Sequence, residues 1–269
     1  MKRAEILGFV STKGGVGKTT VVSNLGYLLS NKHNKSVLVV DGNFTAPSLG
    51  SHFGIISPGM GIADAMVGKI DVKSTVHKVE GKLDFLPVGF VSKNLDYKAM
   101  RSYLCSMRSK YDYILIDSSP TMNQETLAAI YASDKVFMIS TPDHVSLNNS
   151  MQTLNLAKEA QTYLSGVILN RSKSKIYELS APDIEQALGV PVVGSVDETE
   201  KVTKSLAHFK TLVNKYPSSN SSIEFNKLGA AICGAPYRAE GFVPKLKSLF
   251  SKKIKQADIN RTLLMESHY

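Results

Sequence analysis

The stretch that decides the fold is Lys13-Gly14-Gly15-Val16-Gly17-Lys18-Thr19-Thr20. It follows a short apolar run at residues 6–10 and opens a stretch with helical periodicity at residues 18–31. Glycines let the backbone turn tightly and direct its N–H groups inward, and the N-terminus of a helix attracts anions. The stretch therefore predicts a loop that holds a polyphosphate, with Lys18 on the β- and γ-phosphates and the Thr19 hydroxyl on Mg²⁺.

The predicted nucleotide contacts cover the whole loop after its first lysine. They are Gly14, Gly15, Val16, Gly17, Lys18, Thr19 and Thr20. The loop departs from the strict pattern G-x-x-x-x-G-K-T, because Thr12 stands in the place of the first glycine. It also carries an additional lysine, Lys13, which the strict pattern does not require.

Short apolar runs alternate with helical patterns along most of the 269 residues. The predicted strands are rich in Val, Ile and Leu and cover residues 6–10, 37–40, 83–87, 113–116, 136–140, 166–169 and 191–194. The predicted helices cover residues 18–31, 95–109, 124–132, 146–164, 184–188 and 222–233. Apolar strands that alternate with helices predict an α/β fold with a doubly wound, mostly parallel sheet.

The loop with its two lysines, Lys13 and Lys18, resembles the deviant Walker A loop of the MinD/ParA family of P-loop ATPases. In that family the additional lysine reaches across a nucleotide-sandwich dimer to the phosphates of the partner. The resemblance therefore implies the MinD/ParA type of P-loop fold, ATP and Mg²⁺ as cofactors, and a homodimer in the ATP state.

Three later segments extend the resemblance over about residues 5 to 235. Residues 111–120 are similar to the Walker B strand and second switch of the family, which implies that Asp117 is a Mg²⁺ ligand together with Thr19. The second segment, at residues 167–171, resembles the strand whose asparagine reads the adenine edge, and its candidate nucleotide contacts are Asn170 and Arg171. The third segment, at residues 191–196, resembles the strand that leads to the loop over the base.

The segment Asp41-Gly42-Asn43 differs from the pattern that the family usually carries, in which an aspartate at the second position helps to place the attacking water. The carbonyl oxygen of Asn43 can orient water but cannot accept a proton. Phosphoryl transfer depends mainly on positioning and charge stabilisation, so we expect slow hydrolysis. The candidate catalytic residues are Lys13, Lys18, Asp41 and Asn43. In the alternative interpretation, Asn43 is only a turn residue and Asp41 alone acts.

The segment from residue 242 to residue 255 has an amphipathic pattern. On a helix its apolar side chains fall within an arc of roughly 140°; they are Phe242, Val243, Leu246, Leu249, Phe250 and Ile254. Lysines flank this arc, and a basic amphipathic helix fits an anionic lipid surface. The segment resembles the C-terminal membrane-targeting helix of MinD-like proteins. Two alternatives remain: packing on the protein itself or a partner, and nonspecific DNA binding through the lysines.

These observations predict two parts of the chain: a P-loop ATPase domain at residues 1–235, and a hinge with an amphipathic helical tail at residues 236–269. The formal net charge of +9 favours an anionic partner. No apolar run approaches ~18 residues, and the two cysteines, Cys105 and Cys233, lie far apart, as suits a reducing compartment. We therefore expect a cytoplasmic, peripherally membrane-associated protein.

The leading functional hypothesis is a MinD-like ATPase that dimerises with ATP and Mg²⁺ and attaches reversibly to the membrane through its tail. Such a protein positions an unidentified regulatory or cargo protein, for example in cell division or polar machinery. The second hypothesis is a ParA-like partitioning ATPase that binds DNA nonspecifically in the ATP state. The third, suggested by Asn43, is a regulatory scaffold that binds ATP and hardly hydrolyses it.

Overall fold

The computed structural model describes residues 3–92, 95–237 and 256–266. Its strands are β1 (Glu5–Val10), β2 (Val37–Gly42), β3 (His77–Glu80), β4 (Leu83–Leu86), β5 (Tyr113–Ser118), β6 (Lys135–Ser140), β7 (Tyr163–Ser172) and β8 (Val192–Asp197). Within the described residues they form one sheet in the order β3-β4-β2-β5-β1-β6-β7-β8. All neighbouring pairs are parallel except β3 and β4 at one edge.

Helices cover both faces of the sheet. They are α1 (Lys18–Asn31), α2 (Ile62–Met66), α3 (Met100–Met107), α4 (Gln124–Ala132), α5 (His144–Glu159), α6 (Ala181–Leu188), α7 (Glu200–Leu206), α8 (Leu212–Lys215), α9 (Asn220–Ile232) and α10 (Gln256–Glu266). Short 3₁₀ helices occur at Leu49–Phe53, Val72–Thr75 and Tyr97–Ala99. None of the described helices combines the length and the apolar character needed to cross a membrane.

The core has two main layers because successive side chains of a strand point to opposite faces of the sheet. Leu7 and Phe9 of β1 pack on one face with α1 and α9, whereas Ile6 packs on the other face with the helices α2 to α4. Strands buried on both faces must be apolar at almost every position, which is the pattern of the sequence. The predicted α/β fold with a doubly wound, mostly parallel sheet is confirmed.

The helices α2, α7, α8 and α10 were not predicted from the sequence, and three further details differ from the expectation. Strand β3 was not predicted, because its residues alternate between partly buried and exposed and form no apolar run. The predicted helix at 146–164 ends at Glu159, since Gln161 has a positive φ of 53° and β7 begins two residues later. The predicted helix at 95–109 divides into a 3₁₀ turn and α3.

The C-terminal helix α10 packs against the edge strand β8 and against α9. Its side chains Asn260 and Arg261 are buried, and they donate hydrogen bonds to the carbonyl oxygens of Val192 (2.8 Å) and Val193 (3.1 Å). The helix therefore satisfies acceptors that an edge strand would otherwise expose. The boundary predicted at residue 235 stays a prediction, and the apolar stripe of residues 242–254 lies outside the described residues.

Candidate nucleotide site

Three neighbouring strands bring the predicted site residues to one edge of the sheet. Strand β5 lies between β2 and β1, and its register places Asp117 beside Asp41 on one side and beside Phe9 on the other. The glycine-rich loop begins directly after β1. Because parallel strands end at the same edge, the loop and both carboxylates lie together at the carboxyl edge of the sheet.

The loop reaches α1 through Gly17, which is the N-cap of the helix and has a φ of 88°. A Cβ atom at Gly17 would lie 2.3 Å from Nδ2 of Asn170, a contact that no side chain can adopt. The same Nδ2 donates a 2.7 Å hydrogen bond to the carbonyl oxygen of Val16. Asn170 at the end of β7 therefore fixes the curvature of the loop, and glycine is required at position 17 by both conformation and space.

Lys18 and Asp117 are both buried, and each charge affects the pKa of the other group. Burial lowers the pKa of Lys18 to about 8, and the charge of Asp117 opposes this shift. Burial and the nearby charge of Asp41 raise the pKa of Asp117 to about 7, while a hydrogen bond from Thr19 and the charge of Lys18 oppose the rise. Oδ1 of Asp117 is buried without a hydrogen-bond partner. A buried carboxylate oxygen without a partner, next to the Thr19 hydroxyl, is an oxygen donor set that fits Mg²⁺.

Asp41 accepts hydrogen bonds from the backbone N–H groups of Asn43 (3.1 Å), Ser48 (2.9 Å) and Leu49 (2.9 Å). Burial nevertheless raises the pKa of Asp41 to about 6. The amide of Asn43 is used locally: Nδ2 donates to the carbonyl oxygen of Ala46 at 2.7 Å, and Oδ1 accepts from the Ala46 N–H at 3.3 Å. This arrangement is the one described by the alternative interpretation, in which Asn43 is only a turn residue. A catalytic role for Asn43 stays a prediction.

Lys13 is held by its own chain. Its Nζ lies 2.7 Å from Oγ of Ser146, 3.2 Å from Oδ2 of Asp143 and 3.4 Å from Oγ1 of Thr141. Burial would raise the pKa of Asp143, but hydrogen bonds from Thr141, Ser146 and Lys13 outweigh it and hold that pKa well below its usual range.

Asp143 and Ser146 were not predicted as site residues from the sequence. An N-cap pattern in the sequence could have indicated Asp143, because this aspartate directly precedes the first turn of α5. In the structure it accepts a hydrogen bond from the N–H of Ser146, as an N-cap does. Only the position of β6 beside β1 brings this N-cap to Lys13.

A cavity of about 310 Å³ lies beside the loop, between the end of β7 and the segment that joins β8 to α7. It is lined by Gly15, Gly17, Thr20, Asn170, Arg171, Val196, Asp197, Glu198, Thr199, Val202, Thr203 and Phe225. Arg171 donates from Nη1 to the carbonyl oxygen of Gly15 (2.8 Å) and from Nη2 to Oε1 of Glu198 (2.7 Å). The predicted contacts Asn170 and Arg171 therefore adjoin the loop, and Glu198 is a lining residue that was not predicted from the sequence.

Comparisons with known proteins agree with this geometry. A family model described as an AAA domain matches residues 4–169. An uncharacterised ATP-binding protein of Methanocaldococcus jannaschii is 30% identical over 92% of this chain and 97% of its own length. The cell division ATPase MinD of Pyrococcus furiosus is 26% identical in sequence, with a TM-score of 0.78 over 85% of this chain and 97% of that chain.

The chain is a MinD/ParA-family P-loop ATPase. The predicted family and its fold are thus confirmed. The septum site-determining protein MinD of Pyrococcus horikoshii, solved as a complex with Mg-ADP, has the same fold, with a TM-score of 0.79 and 24% identity over 93% of this chain and all of that chain. In this MinD/ParA-family ATPase, the structure brings together the loop, Asp41, Asp117 and Asn170. It places Lys13 against Asp143 instead of over the loop.

Proposed function

We propose that this chain is a MinD-like ATPase that binds ATP with Mg²⁺, dimerises in the ATP state and attaches reversibly to an anionic membrane to position another protein. The observation that carries the proposal is the difference in position between the two loop lysines. Lys18 is buried at the base of the loop, whereas Lys13 lies at the rim with about a third of its side chain exposed. A lysine at the rim is available to a second molecule, and a buried one is not.

The chain's own residues suffice to hold a nucleotide. The N–H groups of the loop and of the first turn of α1 would face the phosphates of a bound nucleotide, and Lys18 would provide a positive charge at the same place. Thr19 and Asp117 would hold Mg²⁺, which supplies positive charge to the phosphate oxygens when bound. The cavity beside Asn170 has a size suited to a base, and its floor is fixed by the hydrogen bond from Asn170 to Val16.

Asp41 is the candidate for orienting the attacking water, because it lies beside Asp117 and its own position is fixed by three backbone N–H donors. The pKa of Asp41, raised to about 6, lies close enough to neutrality for a role in proton transfer. The amide of Asn43 contributes to the turn through Ala46, and Asp41 is the one carboxylate of the segment Asp41-Gly42-Asn43, so we expect slow hydrolysis.

Exposed apolar side chains around the loop support dimerisation through this face. The loops at the carboxyl edge of the sheet and the first turn of α5 expose large apolar side chains, namely Ile56, Met60, Phe90, Val91, Met122, Val145, Ile176 and Tyr177. Apolar side chains concentrated on one edge are typical of an interaction surface. A second copy that faces the loop would cover them and would bring its own Lys13 to the phosphates.

Dimerisation also explains how one amphipathic segment can bind a membrane conditionally. Each Leu or Phe contributes about 1.5–3 kcal/mol when buried, each lysine about 1 kcal/mol near anionic lipid, and ordering costs about 1–2 kcal/mol per residue. A single copy is therefore a weak anchor, while two copies on a dimer bind with avidity.

The test is sedimentation with anionic liposomes in ATP and in ADP. We compare the intact chain with a variant in which Leu249 and Phe250 are replaced by serine, and with a variant in which Lys247 and Lys252 are replaced by glutamine. Lipid attachment needs the apolar side chains and ATP, so the serine variant stays in the supernatant and the intact protein pellets in ATP only. Pelleting that is independent of nucleotide, and equal in the intact and serine-substituted chains, contradicts membrane attachment.

The same proteins distinguish the other two functions. Retention on linear DNA in ATP that requires Lys247 and Lys252, but not Leu249 and Phe250, supports the ParA-like partitioning function, because phosphate contacts need charge and no apolar stripe. ATP binding without measurable phosphate release supports the regulatory scaffold.

A further inference from the structure

Glu125 is a buried carboxylate that the roles assigned above do not use. It lies in the first turn of α4 and is 4% exposed. Its oxygens accept two hydrogen bonds from Thr45: from Oγ1 at 2.5 Å and from the backbone N–H at 3.4 Å. No lysine, arginine or histidine of the described ranges forms an ion pair with it. Burying a carboxylate without a neighbouring cation costs free energy, so the burial of Glu125 against Thr45 needs an explanation.

Thr45 belongs to the loop that follows β2, between Asp41 and Leu49. The base of this loop is fixed, because the N–H groups of Ser48 and Leu49 donate to Asp41. Phe44 is buried and packs edge-on against Tyr97, with ring centroids 5.2 Å apart. Thr45 itself is exposed, so the contact with Glu125 attaches the tip of the loop to the body of the protein.

The residue next to Glu125 holds a second loop. Oγ1 of Thr126 donates to the carbonyl oxygen of Thr121 (2.6 Å) and also lies 3.1 Å from that of Ser119, both in the segment that follows Asp117. The side chain of Asn123 caps the helix and accepts from the N–H groups of both Glu125 and Thr126. Two successive residues of one helical turn thus hold the loop after β2 and the loop after β5.

We propose that Glu125 is a positioning residue that couples these two loops, through Thr45, and thereby holds the N–H donors of Ser48 and Leu49 on the carboxylate of Asp41. This inference rests on the proposed ATPase function for its kinetic consequence. The structural part of the inference, which is the attachment of the loop by Glu125, does not depend on that function. Because Asp41 and Asp117 are the last residues but one of β2 and β5, a displacement of the loop that follows either strand changes the orientation of these carboxylates in the nucleotide site.

The first experiment measures hydrogen exchange of the Ser48 and Leu49 amides in the nucleotide-free protein. Thr45→Val preserves volume and removes the hydroxyl donor, so we expect both amides to exchange faster by roughly tenfold. Glu125→Gln keeps an acceptor for Thr45 and is expected to retain most of the protection, whereas Glu125→Ala behaves like Thr45→Val. The matched control is Glu159→Gln on the exposed end of α5, which leaves exchange unchanged.

The second experiment measures steady-state ATP hydrolysis by the same variants. Misplacement of Asp41 lowers kcat by roughly tenfold, while KM for ATP stays within about twofold, because the phosphate loop is not altered. The double variant of Thr45→Val with Glu125→Ala is no slower than either single variant, since both remove the same contact.

The outcomes separate the inference from the function on which it rests. Unchanged exchange and unchanged kcat in Thr45→Val overturn the coupling. A parallel loss of thermal stability, KM and kcat in every variant, including Glu125→Gln, also overturns it and indicates a purely structural carboxylate. If the intact protein hydrolyses no ATP but the amides of Thr45→Val exchange faster, the proposed function fails and the attachment of the loop stands.

Discussion

Lys13 shows how one residue links the single chain to its proposed dimer. Its contacts with Asp143, Ser146 and Thr141 must break before Nζ can reach the phosphates of another molecule. The side chains of Lys13 and Asp143 are 31% and 44% exposed, and ion pairs at such exposure contribute only about 0.2–1 kcal/mol. The contacts of the single chain would therefore oppose the proposed dimerisation only weakly.

We expect Asp143→Asn to strengthen ATP-dependent dimerisation by up to about fivefold, because it removes the charge that holds Lys13. Asparagine caps helices about as well as aspartate, so the stability of α5 is retained. Sedimentation equilibrium in ATP measures the dissociation constant of the dimer, and thermal unfolding serves as the control. A weaker dimer would instead mean that Asp143 contacts the partner molecule.

At the scale of elements, the 3₁₀ helix Leu49–Phe53 is joined to α1 by a buried histidine. Nδ1 of His52 and Oγ of Ser23 are 2.9 Å apart, and burial lowers the pKa of His52 to about 4. The unfolded chain binds this proton below a pH of about 6.5, whereas the native protein does not until a pH of about 4. The contribution of His52 to the free energy of unfolding is therefore fully present above a pH of about 6.5, and it is lost as the pH falls from about 6.5 to about 4.

We expect the free energy of unfolding to fall by up to about 3 kcal/mol between pH 7 and pH 4 relative to His52→Gln. Asp41 and Asp117 act in the opposite direction, because their raised pKa values mean that the native state binds protons more tightly. Both proteins contain these aspartates, so the difference between their urea unfolding curves isolates the histidine. Parallel curves at all pH values would contradict the assignment.

The docking of α10 depends on a buried charge. Arg261 is 5% exposed and donates to Oε2 of Glu224 at 3.3 Å and to the carbonyl oxygen of Val193 at 3.1 Å. We expect Arg261→Ala to destabilise the protein by about 3 kcal/mol, because it leaves Glu224 buried with less compensation. Urea denaturation measures the loss.

The control variant Lys204→Ala removes an exposed ion pair with Glu200, and we expect it to lower the free energy of unfolding by under about 0.5 kcal/mol. Equal midpoints for both variants would show that α10 is not docked in solution.

At the scale of the whole molecule, the apolar residues at the carboxyl edge should form the dimer interface. Ile176 is fully exposed in the loop that follows β7, whereas Tyr163 is exposed at the amino end of β7, on the opposite edge of the sheet. We expect Ile176→Asp to weaken ATP-dependent dimerisation by about 10- to 100-fold, because a buried isoleucine contributes about 1.5–3 kcal/mol. Tyr163→Asp is the matched control and leaves dimerisation unchanged. Light scattering in ATP measures both, and equal effects would place the interface elsewhere.

The sequence alone determined the parts of this protein that depend on local chemistry. Three glycines, two lysines and two threonines at fixed spacing define the phosphate loop within eight residues, and apolar runs between helical patterns define a covered, parallel sheet. The short edge strand β3 and the helix α10 could not be predicted in the same way, since neither has a continuous apolar pattern. The polar side chains Asn260 and Arg261 are buried only because they meet the carbonyl oxygens of β8.

The tertiary structure decided which distant residues meet. Asp41 lies beside Asp117 because β2 and β5 are neighbours, Lys13 meets Asp143 because β6 lies next to β1, and Glu125 holds Thr45 across the face covered by α4. Alternation of strands and helices is compatible with many strand orders, so no local pattern specifies these contacts. They follow from the packing of the whole sheet, which brings the loops at its carboxyl edge within hydrogen-bond distance of one another.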